Sequence, residues 1–442
     1  MLLYLVLMNT KLSLFPVGSE INKSGHLVIG GCDTLDLAAE YGTPLYVFDE
    51  LTLRRQCRQF KAEFGKLYPG TNVLYASKAF LNRAVASIIK EEGLGLDVVS
   101  AGELGIAASV NFPMNSVYFH GNNKSAGELK EALEHRIGRI VVDNFGELKL
   151  LAGLAEEAGC IQDILLRITP GVDPHTHRHI TTGSTGSKFG FPLFAAGEAV
   201  AQAMAASGLN LVGIHSHIGS QITEAGPYIE EIRVVLGFAA DMREEHGFEM
   251  EELNIGGGFG VQYTLDAPAP PISVFSEAII PALMNRCREL DMPLPGLTIE
   301  PGRAIIARAG VALYSVGVIK EVAGQKRYTC IDGGMADNIR PALYGARYEA
   351  VAAGKMDSDE TMLTDIAGKF CESGDILITG IKLPPVSAGD ILAVPVCGAY
   401  SLPLASNYNA SLKPAIVMAC GGKSRLIRRR ETIGDLTRND LL

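Results

Sequence analysis

No Cys-x-x-Cys pair occurs among the eight cysteines, which are spread thinly as Cys32, Cys57, Cys160, Cys287, Cys330, Cys371, Cys397 and Cys420. That scatter argues against a disulfide framework or a zinc ribbon and fits reduced thiols in a cytoplasmic protein. No apolar run approaches the roughly 18 residues that a membrane-crossing helix needs. The apolar opening, Met1 to Met8, is short and lacks a basic leader and an A-x-A site, so a buried or interfacial strand is expected there. Basic excess is missing too: 39 Lys and Arg face 49 Asp and Glu, for a net charge of −10. That balance excludes a general nucleic-acid or anionic-membrane surface. The one basic run, Arg425 to Arg430, is expected to be a solvated helix face.

Two nucleotide-loop signatures are also absent. The run Gly256-Gly257-Gly258-Phe259-Gly260 lacks the third glycine of a dinucleotide fingerprint. Gly421-Gly422-Lys423-Ser424 has Val417 where a P-loop needs its first glycine. What remains is a chain of 442 residues, 47% apolar, long enough for two or three domains and a core that needs no staples. Disorder, collagen and an all-coiled-coil chain are excluded by composition.

From about residue 72 to 300 short β-rich runs alternate with longer helical stretches. The runs are 72–76, 95–99, 117–120, 139–142, 164–168, 211–215, 252–256 and 297–300. Several are continuously apolar, as parallel strands covered by helices are. Helical patterns lie between them, for example at 81–92, 102–109, 126–136, 145–158 and 275–290. Eight β-then-α units predict a (β/α)8 TIM barrel. The flanks read differently. Residues 1–45 hold a hairpin-like piece at Gly30-Gly31 and a helix at about 34–41. After 305, runs at 311–321, 326–332, 375–379 and 390–396 are separated by Gly, Pro and Asp turns, which is the grammar of a mostly β domain. The expected division is a barrel over 46–306 and a β domain made of 1–45 and 307–442.

A barrel places its chemistry at the C-terminal ends of its strands. Reading off those ends gives Lys78, Asp97, His120, Asp143-Asn144, Arg167, His215 and His217, Gly256 to Gly260, and Glu300-Pro-Gly-Arg303. The glycine loop after the seventh strand, with Gly302 after the eighth, suits a phosphate approached by bare backbone N–H groups. Lys78, just past an apolar strand, is expected to be partly desolvated and so available as an amine nucleophile. Phosphate cradle, rim lysine and the Glu300 carboxylate together suit pyridoxal phosphate (PLP). His215 and His217 share one face of a strand, which permits a metal. No Cys, Asp or Glu ligand is spaced nearby, and none is expected to be bound. The alternating His175, His177 and His179 are expected to form a loop rather than a chelate.

Seven motifs in order carry a resemblance. They are Tyr75-Ala-Ser-Lys78, His215-Ser-His-Ile-Gly-Ser220-Gln, Asn254-Ile-Gly-Gly-Gly-Phe-Gly260, Glu300-Pro-Gly-Arg303, Asn338-Ile-Arg-Pro-Ala-Leu-Tyr344, Cys371-Glu-Ser-Gly-Asp375, and Gly398-Ala-Tyr400 with Ser406-Asn-Tyr-Asn409. In these motifs the chain resembles the fold-type III PLP decarboxylases, most closely the branch acting on meso-2,6-diaminopimelate. The resemblance implies a PLP-binding barrel plus a β domain, and a carboxy-lyase of lysine biosynthesis. It implies that Lys78 holds the cofactor covalently, Glu300 faces the pyridine nitrogen and His217 stacks on the ring. Ser220, Gly258, Gly302 and Tyr400 resemble phosphate ligands. Arg303, Arg340 and Tyr344 resemble the grip on the distal carboxylate, and Glu372 the partner of the distal ammonium. Tyr400 and Arg303 count toward both cofactor and substrate. Cys371 resembles a proton donor that reaches the site from a neighbouring subunit, which implies a homodimer with shared active sites. The alternatives are a decarboxylase of another basic amino acid (ornithine, lysine, arginine or carboxynorspermidine type), a racemase, or a non-catalytic PLP-binding relative.

Overall fold

A computed structural model describes residues 12–173, 188–322 and 326–442. The apolar opening Met1 to Met8 and the triplet His175, His177 and His179 lie outside the described residues. Contacts divide the chain into two compact units: one of residues 57–260 and 270–303, the other of residues 1–56, 261–269 and 304–442.

The first unit is the barrel. Its strands are β1 (Thr71–Ala76), β2 (Gly95–Val98), β3 (Val117–Phe119), β4 (Arg139–Val142), β5 (Gln162–Thr169), β6 (Leu209–His215), β7 (Glu252–Asn254) and β8 (Gly296–Ile299). All neighbours pair in parallel, and β8 pairs with β1, so the sheet closes on itself. Helices follow in turn: α1 (Arg83–Glu91), α2 (Ala101–Ser109), α3 (Ala126–Glu134), α4 (Phe145–Ala158), α5 (Leu193–Ala205), α6 (Gly226–His246) and α7 (Ile272–Glu289). Their starts are written locally. Asn82, Ser100, Ser125 and Asn144 each accept a first-turn N–H with the side chain, and Ser125 forms a full capping box with Glu128. Inside the barrel Leu74, Tyr118, Val141, Leu165 and Val212 pack together. Below them Glu252 accepts hydrogen bonds from Tyr118 (3.1 Å), Thr298 (2.8 Å) and Arg139 (3.2 Å), so a polar layer is satisfied within the barrel.

The second unit is mostly β. Its sheet runs in the order Ile376–Leu383, Met362–Ala367, Lys326–Ile331, Gly310–Val322, Leu45–Asp49, Ala415–Cys420, Lys423–Arg428. Leu45–Asp49 pairs antiparallel with Gly310–Val322 and parallel with Ala415–Cys420. The core beneath it takes Leu27, Ile29 and Leu37 from the N-terminal segment together with Val311, Leu313, Ala393 and Val417.

The basic run is not the helix face expected of it. Lys423–Arg428 is an edge strand, folded back on Ala415–Cys420 around Gly421-Gly422, both at positive φ. The two-glycine turn and flanking alternation favour a hairpin over a helix. Arg429 pairs with Asp435, and Arg430 donates to the Pro44 carbonyl at 2.8 Å.

Candidate active site

The C-terminal rim of the barrel gathers side chains from strand ends all around the ring. Glu300, just past β8, is buried and is the centre of the group. Asn254 at the end of β7 donates its Nδ2 to Glu300 Oε1 at 2.8 Å, and its own Oδ1 accepts the Gly256 N–H at 2.9 Å. His120 after β3 brings Nε2 to 2.8 Å from Glu300 Oε1, and His215 at the end of β6 brings Nε2 to 3.4 Å from Oε2. The two imidazoles meet edge to face, with centroids 4.8 Å apart.

Electrostatics follow from this packing. Burial alone would raise the Glu300 carboxyl, but His120 and His215 beside it hold it well below the usual carboxylate range. Burial pushes His215 down to about 3 against the pull of Glu300, so its ring is neutral. His217 is also held well below its ordinary value, by burial and by the Lys78 and Arg167 cations. Asp97 is raised by burial, with His120 opposing. The donor atoms of His120, His215 and Glu300 lie within 4.8 Å of one another, a set that could hold a metal ion. Of the H-x-H pair only His215 belongs to this set; the second imidazole comes from past β3 and the carboxylate from just past β8.

The glycine loop after β7 is shaped by close approach. A Cβ on Gly256 (φ +65°) would fall 2.7 Å from His217 Nδ1, and one on Gly258 (φ +101°) 2.6 Å from the Gly219 carbonyl oxygen. Gly257 N–H donates to His217 Nδ1 at 3.3 Å, which orients that ring. Gly302 packs on β1, where a Cβ would meet Ala76 Cβ at 2.9 Å. Arg303 donates from Nη2 to Ser220 Oγ at 3.0 Å. Lys78 sits on the single turn Ser77–Ala79 after β1 and is exposed. The burial expected for Lys78 past an apolar strand is therefore not seen.

Lys78, His217, Ser220, Gly258, Glu300, Gly302 and Arg303 thus share one rim. Ser77 Oγ, Asp97 Oδ1, Asp143 Oδ1 and His215 Nδ1 are buried there without hydrogen-bond partners among the described residues. A protein rarely leaves such atoms unsatisfied. Orphaned polar atoms, a glycine cradle, a lysine and a fixed anion fit a phosphate-bearing ring with a basic nitrogen. The sequence places His120 and Asn254 at the rim but gives neither a role.

The other sequence candidates lie on the second unit. Arg340 opens the helix Arg340–Tyr344 and is buried, its guanidinium 4.7 Å from the Tyr263 ring centroid and donating to Tyr348 Oη. Tyr344 closes that helix and is exposed. Cys371 and Glu372 are exposed in the turn after Met362–Ala367; Asn409 accepts the Cys371 N–H, and Tyr408 donates to Glu372. Cys371 and Asn409 line a cavity of about 570 Å³ with Lys369, Ser406, Lys413 and Arg430. Tyr400 adopts φ +62°, a left-handed conformation that is uncommon for tyrosine.

Comparison with known proteins points one way. Residues 50–307 match the family model described as pyridoxal-dependent decarboxylase, pyridoxal binding domain. The chain is similar to a diaminopimelate decarboxylase from Bacillus subtilis (strain 168), 46% identical over 425 residues, 96% of this chain and 97% of that one. Among solved structures it resembles the diaminopimelate decarboxylase of M. jannaschii in co-complex with L-lysine, with TM-score 0.91 and 37% identity over 96% of this chain and 98% of that one. It also resembles the enzyme of that name from Helicobacter pylori complexed with L-lysine, with TM-score 0.83 and 30% identity over 92% and 98%.

Proposed function

The chain belongs to the pyridoxal-dependent decarboxylases, and from that premise we infer that it binds PLP and converts meso-2,6-diaminopimelate to L-lysine and CO2. The observation that carries this is near-complete coverage, 96% of this chain and 97% of a diaminopimelate decarboxylase at 46% identity. When bound, PLP supplies the electron sink for the pair left behind as CO2 departs. Everything else falls to the chain's own groups. Glu300, kept anionic by His120 and His215, is the residue to hold the ring nitrogen protonated. Lys78 is the amine that would hold the cofactor, and its exposure leaves that amine accessible.

His217 is proposed to lie against the ring, with Ser220, Gly258, Gly302 and Tyr400 on the phosphate. Arg303, Arg340 and Tyr344 are assigned to the distal carboxylate, because a planar guanidinium donates to a carboxylate bidentately. Glu372 is assigned to the distal ammonium and Cys371 to proton delivery at the carbon that lost CO2. These assignments rest on the motif resemblance, as does a homodimer with shared active sites. A cytoplasmic location rests on the thinly spread cysteines. No described helix is long and apolar enough to cross a membrane.

The test is product formation: purified protein incubated with meso-diaminopimelate, with and without added PLP, should release CO2 and L-lysine only when PLP is present. Ornithine, lysine and arginine in the same assay separate this reading from the other basic amino acids. Absence of lysine with active PLP uptake would overturn the substrate and spare the cofactor.

A further inference from the structure

Helix α6 turns an apolar face inward, with Tyr228, Ile232, Val235, Leu236 and Ala239 buried, and Glu231 lies in that same face with no exposure. An ionised carboxylate there would be costly without a cation, and Glu231 makes no ion pair among the described residues. Burial pushes its carboxyl up to about 8; the Ser216 hydrogen bond opposes this and the Glu300 charge adds to it, so the group is uncharged at neutral pH. Its hydrogen bond is specific: Ser216 Oγ donates to Glu231 Oε1 at 2.6 Å.

Ser216 is the residue between His215 and His217. Strand β6 ends at His215 and Ser216 follows directly, so holding the Ser216 side chain on α6 fixes the backbone between the two histidines. The Ser216 N–H is fixed as well, donating to the Asn254 carbonyl at 2.9 Å. One turn earlier on α6, Tyr228 Oη donates to the Gly257 carbonyl at 2.9 Å, and its ring stacks on Phe259 at 5.2 Å. Tyr228 and Glu231 are three apart and so lie on one side of the helix. One helix therefore pins the strand end that carries the histidines and the glycine loop that meets His217.

We propose that Glu231, with Tyr228 beside it, is a positioning residue that sets the His217 ring against the glycine loop for the cofactor. The inference rests on the PLP reading above. Its test compares apo and PLP-reconstituted full-length protein, wild type against Glu231→Gln, Glu231→Leu and Ser216→Ala. PLP affinity, the bound cofactor's absorbance maximum and the melting temperature are measured. Glu231→Gln keeps a neutral acceptor and should bind PLP within about twofold of wild type, whereas Glu231→Leu should weaken it about tenfold and move the maximum. Ser216→Ala, which removes a single oxygen and carries the test should the leucine variant not fold, should reproduce that loss. The Ser216→Ala/Glu231→Leu double variant should be no worse than either single. Unchanged affinity and absorbance in both Glu231→Leu and Ser216→Ala overturn the proposal, as does a Glu231→Gln variant as weak as the leucine one. A wild-type protein that takes up no PLP overturns the functional reading instead.

Discussion

His120 Nε2 lies 2.8 Å from Glu300 Oε1, with both side chains buried, so a carboxylate at the barrel mouth is held charged by a neighbour from the opposite half of the strand order. A buried anion with two imidazoles and an amide around it is preorganised: it need not reorient when charge develops in front of it. That makes the charge of Glu300, more than its shape, the property to remove.

Glu300→Gln keeps the shape and deletes the charge. CO2 release from meso-diaminopimelate should fall by about 10²–10³-fold, while PLP is still taken up as judged by absorbance. Undiminished turnover would strip Glu300 of its role.

Cys371 is exposed and its backbone is tied to Asn409, so its thiol contributes little to the fold. Cys371→Ala should therefore melt like wild type and bind PLP normally. Its turnover should drop by about 10²–10⁴-fold if the thiol delivers a proton. Steady-state kinetics beside a thermal melt separate the two effects.

His215 sets a pH limit on stability. Its folded value is held down at about 3 by burial, against an ordinary value of 6.5. On acidification the unfolded chain takes up a proton through the ordinary value, while the folded chain refuses it until about 3. Stability is then lost progressively across that window. His215→Gln cannot titrate, so its melting temperature should fall less steeply than that of wild type between pH 6.5 and 4.

A Cβ at Gly257 would stand 2.1 Å from the Glu300 carbonyl oxygen, whereas one at Gly226 meets nothing within 4 Å. Gly257→Ala should cost about 1–3 kcal/mol in urea unfolding, because backbone must move, and Gly226→Ala should be close to neutral. Equal losses at both positions would mean that crowding is not what fixes the glycine loop.

The barrel strands are legible because a parallel strand covered by helices is a short, continuous apolar run, as Val73 to Ala76 and Ile140 to Val142 are. The rim residues follow, since a strand's end is also a place in the sequence. The strand Met362–Ala367 and the hairpin across Gly421-Gly422 carry weaker local patterns. The first is exposed at Met362 and Leu363 and so carries a broken pattern, and the second is masked by arginines that an edge strand tolerates. Leu45–Asp49 precedes a helix as a barrel strand would, and only its pairing with Gly310–Val322 assigns it to the second sheet. Glu231 left one signal, an acid on the apolar face of a helix, and that signal names no partner.

By itself the sequence determined which side chains stand at the barrel mouth, because residue chemistry and strand period are local properties. It also determined the family, through motifs spread over nearly the whole chain. Only the tertiary structure decided that His120, His215 and Asn254 converge on Glu300, that Lys78 is exposed, and that Glu231 grips Ser216. Those relations depend on closing eight strands into a ring and laying a helix against it. Distances across such a ring are set by packing between segments far apart in the chain, which no local pattern encodes.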